Sequence, residues 1–189
     1  MQIGILGGSF NPIHNGHLEI VRNVIKSNII DNVWLLPSSH HPLKNNSSVP
    51  DFEIRFKLAK AAIVDIPACF AFDYDNQYSE PSYTDVLLQK LSHNFPQHTF
   101  HFIIGFDIIP EIHRWHNYQW LQNNASFIII NRPGNYNMDA AGKLKNKKFI
   151  EMQPNKTSST LIRNLIANKK SITGLTPPQI EQKIIELYQ

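Results

Sequence analysis

The order of hydrophobic and polar positions predicts strands that alternate with helices. Short apolar runs suited to buried strands stand at 2–6, 32–36, 70–72, 99–104 and 126–130. Between them, apolar residues recur at helical spacing, as Leu18, Val21, Val24 and Ile25 do after the first run. Further helices are predicted at 51–64, 82–92, 158–168 and from Pro177-Pro178 onward, with short helices in the Trp- and His-rich segment before 126. The polar stretches 37–50 and 131–148 are predicted to be loops.

This alternation is typical of an α/β protein with a mostly parallel sheet. Right-handed crossovers would place helices on both faces, so we expect a doubly wound, Rossmann-like sheet with a small C-terminal helical portion at 157–189. We expect a single domain over residues 1–189, because the chain contains no linker-like segment. Ligands of such sheets bind beyond the carboxyl ends of the strands, which here means the loops after residues 6, 36, 104 and 130.

Composition narrows the class of protein. Hydrophobic residues make up 42% of the chain, charged residues 17%, and the formal net charge is +3. This balance provides a core without the strongly basic surface of a nucleic-acid-binding protein. A single cysteine, Cys69, excludes an internal disulfide and a cysteine-based zinc site. We find neither an apolar run of membrane-spanning length nor a signal-peptide pattern, so we expect a cytoplasmic protein that binds no membrane.

The loop after the first strand is suited to binding phosphate. Gly7 and Gly8 allow the backbone to turn and to approach a ligand closely. The helix that starts near Gly16 would offer unpaired N–H groups and the positive end of its dipole. His14 and His17 stand at that helix start, where both could donate hydrogen bonds to phosphate oxygens. Two alternatives stay open, since the pair could instead bind zinc or cap the helix.

Four further segments could contact a nucleotide. Lys44, in the second loop, could reach a phosphate, and Asp107 could accept hydrogen bonds from ribose hydroxyls or help position a metal. The indole of Trp115 is suited to stacking on a flat heterocycle. The hydroxyls of 157–160 and the guanidinium of Arg163 surround a predicted helix start, which favours anions. The alternatives are a solvated lysine, a helix-capping aspartate, a packing tryptophan and a plain cap with a surface arginine.

Two stretches near opposite ends of the chain resemble signatures of one enzyme superfamily. Residues 7–17, which end His14-Asn15-Gly16-His17, are similar to the H-x-G-H signature of nucleotidyltransferases, and residues 158–163 resemble their S-x-T-x-x-R element. Three further segments are similar to elements of bacterial nicotinate-nucleotide adenylyltransferases: Pro81-Ser82-Tyr83-Thr84, Gly105-x-Asp107-x-Ile109 with Trp115, and Arg132-Pro133-Gly134. The resemblance extends from residue 3 to about residue 188.

The resemblance implies a reaction of ATP with nicotinate mononucleotide that gives deamido-NAD and pyrophosphate. Mg²⁺ would be carried by the ATP phosphates, with no metal site formed by the protein itself. The implied catalytic residues are His14, His17, Lys44 and Arg163. The implied ATP-binding residues are Gly7, Gly8, Ser9, Phe10, His17, Gly105, Asp107, Arg132, Ser158, Ser159, Thr160 and Arg163. The implied mononucleotide-binding residues are Ser9, Phe10, Lys44, Tyr83, Thr84 and Trp115. The partners would be these small molecules, and a homodimer is one oligomeric state that the resemblance allows.

Three positions depart from the family pattern. Asn11 replaces a common Asp, His41-Pro42-Leu43-Lys44 replaces the more frequent P-P-H-K, and His116 follows the tryptophan where another aromatic residue often stands. Three other functions remain as alternatives. They are an adenylyltransferase for nicotinamide mononucleotide or phosphopantetheine, a metal-dependent hydrolase built on His14, His17 and Asp107, and a non-catalytic nucleotide-binding module.

Overall fold

The strands form one parallel sheet. The computed structural model describes residues 1–39, 49–74, 83–131, 138–153 and 155–189. Within them, the strands are β1 (Gln2–Gly8), β2 (Asn32–Pro37), β3 (Cys69–Ala71), β4 (Thr99–Gly105), β5 (Ser126–Asn131) and β6 (Asn146–Glu151). Their order is β3-β2-β1-β4-β5-β6, and each neighbouring pair is parallel. The chain therefore reverses its direction of travel across the sheet between β1 and β4, where such folds bind their ligands.

Helices lie on both faces of this sheet. They are α1 (Asn15–Lys26), α2 (Phe52–Ala62), α3 (Thr84–Asn94), α4 (Tyr118–Asn124), α5 (Ser159–Ala167) and α6 (Pro178–Tyr188), with 3₁₀ helices at Phe106–Arg114 and Met138–Lys143. Helices α1, α2, α5 and α6 share one hydrophobic cluster, whereas α3, α4 and the first 3₁₀ helix share the other. The predicted doubly wound α/β class is thus confirmed. Among the helices described, none is long and apolar enough to cross a membrane.

The strands alternate their side chains between the two clusters. In β5, Ile128 belongs to the cluster with α1, and its neighbour Ile129 belongs to the cluster with α3, yet both are fully buried. A strand covered on both faces needs apolar residues at consecutive positions. This requirement explains why the central strands could be predicted from short uninterrupted hydrophobic runs.

Two details of the secondary structure differ from the prediction. Residues 131–148 were expected to form a loop, but the chain forms a 3₁₀ helix there and then β6 at the sheet edge. An edge strand needs few apolar residues, and β6 opens with the polar Asn146, Lys147 and Lys148, so its pattern resembles that of a loop. The spacing in 82–92 predicts Val86, Leu87 and Leu91 to face inward. In α3, Leu91 is buried as expected, but Val86 and Leu87 are only half-buried and Leu88 is buried instead.

Helices α5 and α6 fall within the predicted C-terminal portion. Ile162 of α5 and Ile184 of α6 are both fully buried in the same cluster as Val21 of α1. Pro178 occupies the first turn of α6, as its ring geometry favours. This packing places the C-terminal helices on the same face of the sheet as α1. That the whole chain forms one domain stays a prediction.

Candidate active site

The loop between β1 and α1 is unusually well buried for a connecting segment. Phe10 is 2% exposed and Ile13 is fully buried, while the polar Asn11 is only 9% exposed. Phe10 also adopts a positive φ of 43°, which side chains other than glycine seldom adopt. Such a backbone requires support from its surroundings. Groups from other elements supply that support.

Side chains from distant parts of the chain donate hydrogen bonds to three backbone carbonyl oxygens of this loop. Arg55 Nη1 donates to the Ser9 carbonyl at 2.8 Å, Arg163 Nη1 donates to the Asn11 carbonyl at 2.5 Å, and Ser159 Oγ donates to the Pro12 carbonyl at 2.9 Å. These donors belong to α2 and α5, on the same face of the sheet as α1. The glycine loop and the S-x-T-x-x-R segment therefore meet, as the sequence predicts.

The two histidines at the start of α1 lie against each other. Their rings stack with centroids 3.7 Å apart and planes 27° apart. The backbone N–H of His14 donates to Nδ1 of His17 at 3.3 Å. Since Nδ1 of His17 accepts, its proton in the neutral ring lies on Nε2, which is then a donor. The ring of Phe10 meets the His17 ring edge-on, with centroids 5.0 Å apart, and restricts the orientation of His17 further.

Burial keeps both histidines neutral at neutral pH. Desolvation lowers the pKa of His14 from 6.5 to about 4. The pKa of His17 is well below 6.5, first because of desolvation and second because of repulsion from a protonated His14. In the protein without ligand, the pair can therefore supply N–H donors but not positive charge. Among the described residues, no group of three or more histidine, cysteine or acidic side chains is arranged to hold a metal ion.

Gly16 brings the two signature motifs into contact. A Cβ atom at this position would lie 3.1 Å from the ring of His14 and 3.3 Å from the carbonyl oxygen of Thr157. Both distances are tighter than ordinary van der Waals contact. The glycine of the H-x-G-H motif thus allows the segment before α5 to pack directly on the histidine.

The hydroxyls of the second motif are used within the protein. Ser158 caps α5, because its Oγ accepts the backbone N–H of Leu161 at 3.1 Å. Thr160 Oγ1 accepts a bond of 3.3 Å from Arg163 Nη2, and Ser159 donates to the loop as described above. The capping alternative therefore applies to Ser158. The guanidinium of Arg163, which has five N–H donors, is half-buried and spans the loop and its own helix.

Asp107 lies at the carboxyl end of β4, beside the end of β1. Its carboxylate folds back over Gly105, so that a Cβ atom on Gly105 would come within 2.2 Å of Asp107 Oδ1. The Asp107 side chain is exposed in the first turn of the 3₁₀ helix. An exposed carboxylate at this position has the chemistry to accept hydrogen bonds from ribose hydroxyls, and that role stays a prediction.

Trp115 rests on a side chain that also covers the glycine loop. Its indole meets the ring of Phe102 edge-on, with centroids 6.1 Å apart. A Cβ atom on Gly7 would lie 3.2 Å from the same Phe102 ring. The next residue, His116, stacks on the ring of Tyr83 at the start of α3, with ring centroids 4.4 Å apart. Both the tryptophan and the start of α3 are thereby joined to the end of the sheet that carries the loop.

The predicted site residues fall into two groups. Contacts at this end of the sheet join Gly7, Gly8, Ser9, Phe10, His14, His17, Tyr83, Thr84, Gly105, Asp107, Trp115, Ser158, Ser159, Thr160 and Arg163, either directly or through adjacent residues. Lys44 and Arg132 lie outside the described residues. The roles assigned to all of these residues stay predictions.

The sequence interpretation missed several residues that shape the loop. Arg55 is 3% exposed. It lies at helical spacing from Leu58 and Ala59 on the buried face of α2, and this spacing could have indicated that its side chain is buried. Tyr188 of α6 donates its hydroxyl to Oδ1 of Asn11. Burial raises the pKa of Tyr188 to about 12, so the hydroxyl keeps its proton. No local sequence pattern predicts a contact between positions that are 177 residues apart.

Comparison with known proteins places the chain in a family. The cytidylyltransferase-like family model matches residues 5–165. A protein of Cytophaga hutchinsonii named probable nicotinate-nucleotide adenylyltransferase is 35% identical over 185 residues, which cover 98% of this chain and 96% of that protein. A protein of the same name from Bacillus cytotoxicus is 35% identical over 184 residues, with 97% and 95% covered.

A solved structure shares the fold. It is the Plasmodium falciparum nicotinic acid mononucleotide adenylyltransferase complexed with NaAD, with a TM-score of 0.83 at 24% identity, covering 98% of this chain and 95% of that one. At this identity the likeness concerns the architecture alone. On the family model and the full-length relatives, the chain belongs to the cytidylyltransferase-like family and, within it, to the family of nicotinate-nucleotide adenylyltransferases.

Proposed function

We propose that this protein transfers the adenylyl group of ATP to nicotinate mononucleotide, giving deamido-NAD and pyrophosphate in NAD biosynthesis. The curated relatives carry the corresponding name over nearly the whole length of the chain. The observation that carries the proposal is the bond from Arg163 to the Asn11 carbonyl, which brings the two signature motifs together at one loop. Tyr83 and Thr84, which we propose offer backbone groups to the nicotinate carboxylate, and Trp115, which we propose stacks on the pyridine ring, lie at the same end of the sheet.

The chemistry requires positioning more than proton transfer. An oxygen of the mononucleotide's 5′-phosphate attacks the α-phosphorus of ATP, a new P–O bond forms, and the bond to the β-phosphate oxygen breaks to release pyrophosphate. The nucleophile is already anionic, so no side-chain base is needed. By analogy with other phosphoryl transfers, the protein's contribution is to align the two phosphates and to stabilise the charge that shifts to the leaving group.

Charged and neutral donors would share that task. Arg163 supplies a permanent cation whose fork suits phosphate oxygens, and Lys44 is proposed to supply a second. Nε2–H of His17 is a neutral donor in a desolvated site, where a hydrogen bond to an anion is strong. Binding of a triphosphate beside the buried histidines would favour their protonated forms, so their charge would increase when substrate binds.

We propose that Mg²⁺ arrives with ATP as part of the substrate. Bound to the phosphates, it would neutralise charge on the triphosphate and on the leaving pyrophosphate. Asp107 is exposed at the end of β4 and fits a contact with the ribose or with a water of that ion. A cytoplasmic location and the oligomeric state, a homodimer included, stay predictions; size-exclusion chromatography with light scattering would measure the latter.

A product assay with three acceptors tests the proposal. The purified protein is given ATP and Mg²⁺ with nicotinate mononucleotide, nicotinamide mononucleotide or phosphopantetheine, and both pyrophosphate and the adenylylated product are measured. We expect equal amounts of pyrophosphate and deamido-NAD, with a kcat/KM for the acid that exceeds that for the amide by about tenfold or more.

Each other function predicts a different result in the same assay. A non-catalytic nucleotide-binding module would release no pyrophosphate with any acceptor. A metal-dependent hydrolase would turn over a substrate without ATP and would copurify with bound metal. A preference for nicotinamide mononucleotide or phosphopantetheine would contradict the proposal in its substrate but keep its chemistry.

A further inference from the structure

We propose that Asp85 and His116 form a clamp that positions the two halves of the mononucleotide subsite against each other. By the clamp we mean the side chains of these two residues. The inference rests on the proposed function, since it concerns how the acceptor is held. It assigns a positioning role, because neither side chain is placed against the reacting phosphates.

Asp85 is a buried carboxyl group with one partner. It lies in the first turn of α3, and its side chain is 2% exposed. Its Oδ1 is 2.9 Å from Nδ1 of His116, and within the described part of the chain this is its only side-chain hydrogen bond. A carboxylate withdrawn from water is costly unless a donor compensates it. The contact with His116 is therefore strongly favoured once α3 has packed.

His116 contacts the start of α3 in a second way. Its ring stacks on the ring of Tyr83, with centroids 4.4 Å apart and planes 20° apart. The hydrogen bond fixes one edge of the imidazole and the stacking fixes its plane, so the ring has a single orientation. The His116 side chain is nevertheless 49% exposed, so the core does not account for its position.

The clamp joins two segments that the sequence separates by 31 residues. One is the start of α3, where Tyr83 and Thr84 are proposed to offer backbone groups to the nicotinate carboxylate. The other carries Trp115, proposed to stack on the pyridine ring, whose indole rests edge-on against Phe102. Trp115 follows the 3₁₀ helix directly. Within the described residues, the bond from His116 to Asp85 is the one hydrogen bond that links the segment of Trp115 to α3.

The distance between these segments sets how well a nicotinate ring fits. A displacement of about 1 Å in a substrate-positioning group can cost about 100-fold in rate. The triphosphate contacts lie on other elements, namely the loop after β1 and the start of α5. Loss of the clamp should therefore weaken binding of the mononucleotide and leave binding of ATP unchanged.

Substitutions at His116 separate its two contacts. His116→Phe keeps the stacking on Tyr83 and removes the donor to Asp85, whereas His116→Asn keeps a donor at the position of Nδ1 and removes the ring. His113→Phe is the matched control, because His113 is exposed on the 3₁₀ helix that ends two residues before His116. KM for each substrate and kcat are measured for every variant, and a thermal melt checks folding.

We expect His116→Phe to raise KM for nicotinate mononucleotide about tenfold, with KM for ATP and kcat within about threefold of wild type. His116→Asn should recover part of the loss, and His113→Phe should change nothing. If His116→Phe unfolds because Asp85 is left unpaired, the double variant Asp85→Leu with His116→Phe removes both partners and should show the same rise in KM.

Two results would overturn the clamp. One is a mononucleotide KM that is unchanged in the folded single or double variant, and the other is an equal rise in KM for both substrates, which would indicate a general structural defect. Failure of the proposed function is seen separately, because wild type would then not adenylylate nicotinate mononucleotide at all. In that case the proposed clamp would be rejected together with the proposed function.

Discussion

The guanidinium of Arg163 donates a hydrogen bond to the carbonyl oxygen of Asn11 across 152 positions of the sequence. A second nitrogen of the same guanidinium reaches the hydroxyl of Thr160 at 3.3 Å. Because a guanidinium carries five N–H donors, it can hold the loop and still offer donors to a phosphate. One side chain thus combines a structural bond with a proposed role in charge stabilisation.

Replacing this arginine by lysine should separate the two roles. Arg163→Lys keeps the charge but loses the planar fork, so one ammonium group cannot serve the Asn11 carbonyl, Thr160 and a phosphate together. We expect kcat/KM to fall about 100-fold, measured by steady-state release of pyrophosphate. Arg114→Lys, at an exposed surface ion pair with Glu111, is the control. Activity within about threefold of wild type would contradict the proposed role.

His17 should contribute through one nitrogen. His17→Ala removes the Nε2 donor and should lower kcat about 100-fold or more, which would make it the most damaging single substitution. His17→Gln places an amide N–H near the same point and should recover part of that loss. Steady-state rates decide between them, with the exposed His93→Ala as control. A loss of less than about tenfold in His17→Ala would count against the role.

Gly105 should matter for Asp107 and hardly for stability. In Gly105→Ala, the new methyl group would need the place that Asp107 Oδ1 now takes, at 2.2 Å, and a carboxylate on a rotatable side chain can move away. We expect a melting temperature within a few degrees of wild type and a KM for ATP raised about tenfold. Gly142→Ala, where nothing lies within 4 Å, is the control. An unchanged KM for ATP would argue that Asp107 does not contact that substrate.

The buried His14 should make the protein less stable in acid. In the unfolded chain His14 takes up a proton near pH 6.5, whereas in the folded protein its pKa is about 4. The folded state therefore binds fewer protons between these values, and its stability is full above pH 6.5 and is lost as the pH falls toward 4. For this group alone we expect a loss on the order of 2 kcal/mol between about pH 7.5 and pH 5.

Urea unfolding of wild type and His14→Gln measures this contribution. Glutamine does not titrate, so the difference in the free energy of unfolding between the two proteins should change with pH in the direction just given. His17 titrates in the same direction and remains in both proteins. A difference that does not depend on pH would show that His14 is not held neutral by burial.

The sequence was sufficient for the features that depend on local pattern. β1, α1 and the position of His14 and His17 at the start of α1 were predicted, because strand burial, glycine turns and helical spacing each produce a pattern within a few residues. β6 was missed because an edge strand tolerates lysines. Arg55 and Tyr188 act on the loop from 46 and 177 residues away, and such bonds follow from tertiary packing that no local pattern reports.

Asp85 illustrates a different limit. No role was assigned to it from the sequence, because an acidic residue in the first turn of a helix is ordinarily an exposed side chain. The structure instead buries it against His116, a position that departs from the family pattern. The partner of a buried charge can be recognised only when the segments that carry the two groups have been placed side by side.

The bond between Tyr188 and Asn11 has a consequence for the order of events during synthesis. The loop after β1 is translated before the groups that hold it, which lie 46, 152 and 177 residues further along the chain from their partners. A nascent chain therefore carries the loop without its supports until α6 has been translated and docked. We expect nucleotide affinity to arise late and abruptly in a series of stalled chains of increasing length, well after the sheet has begun to pair.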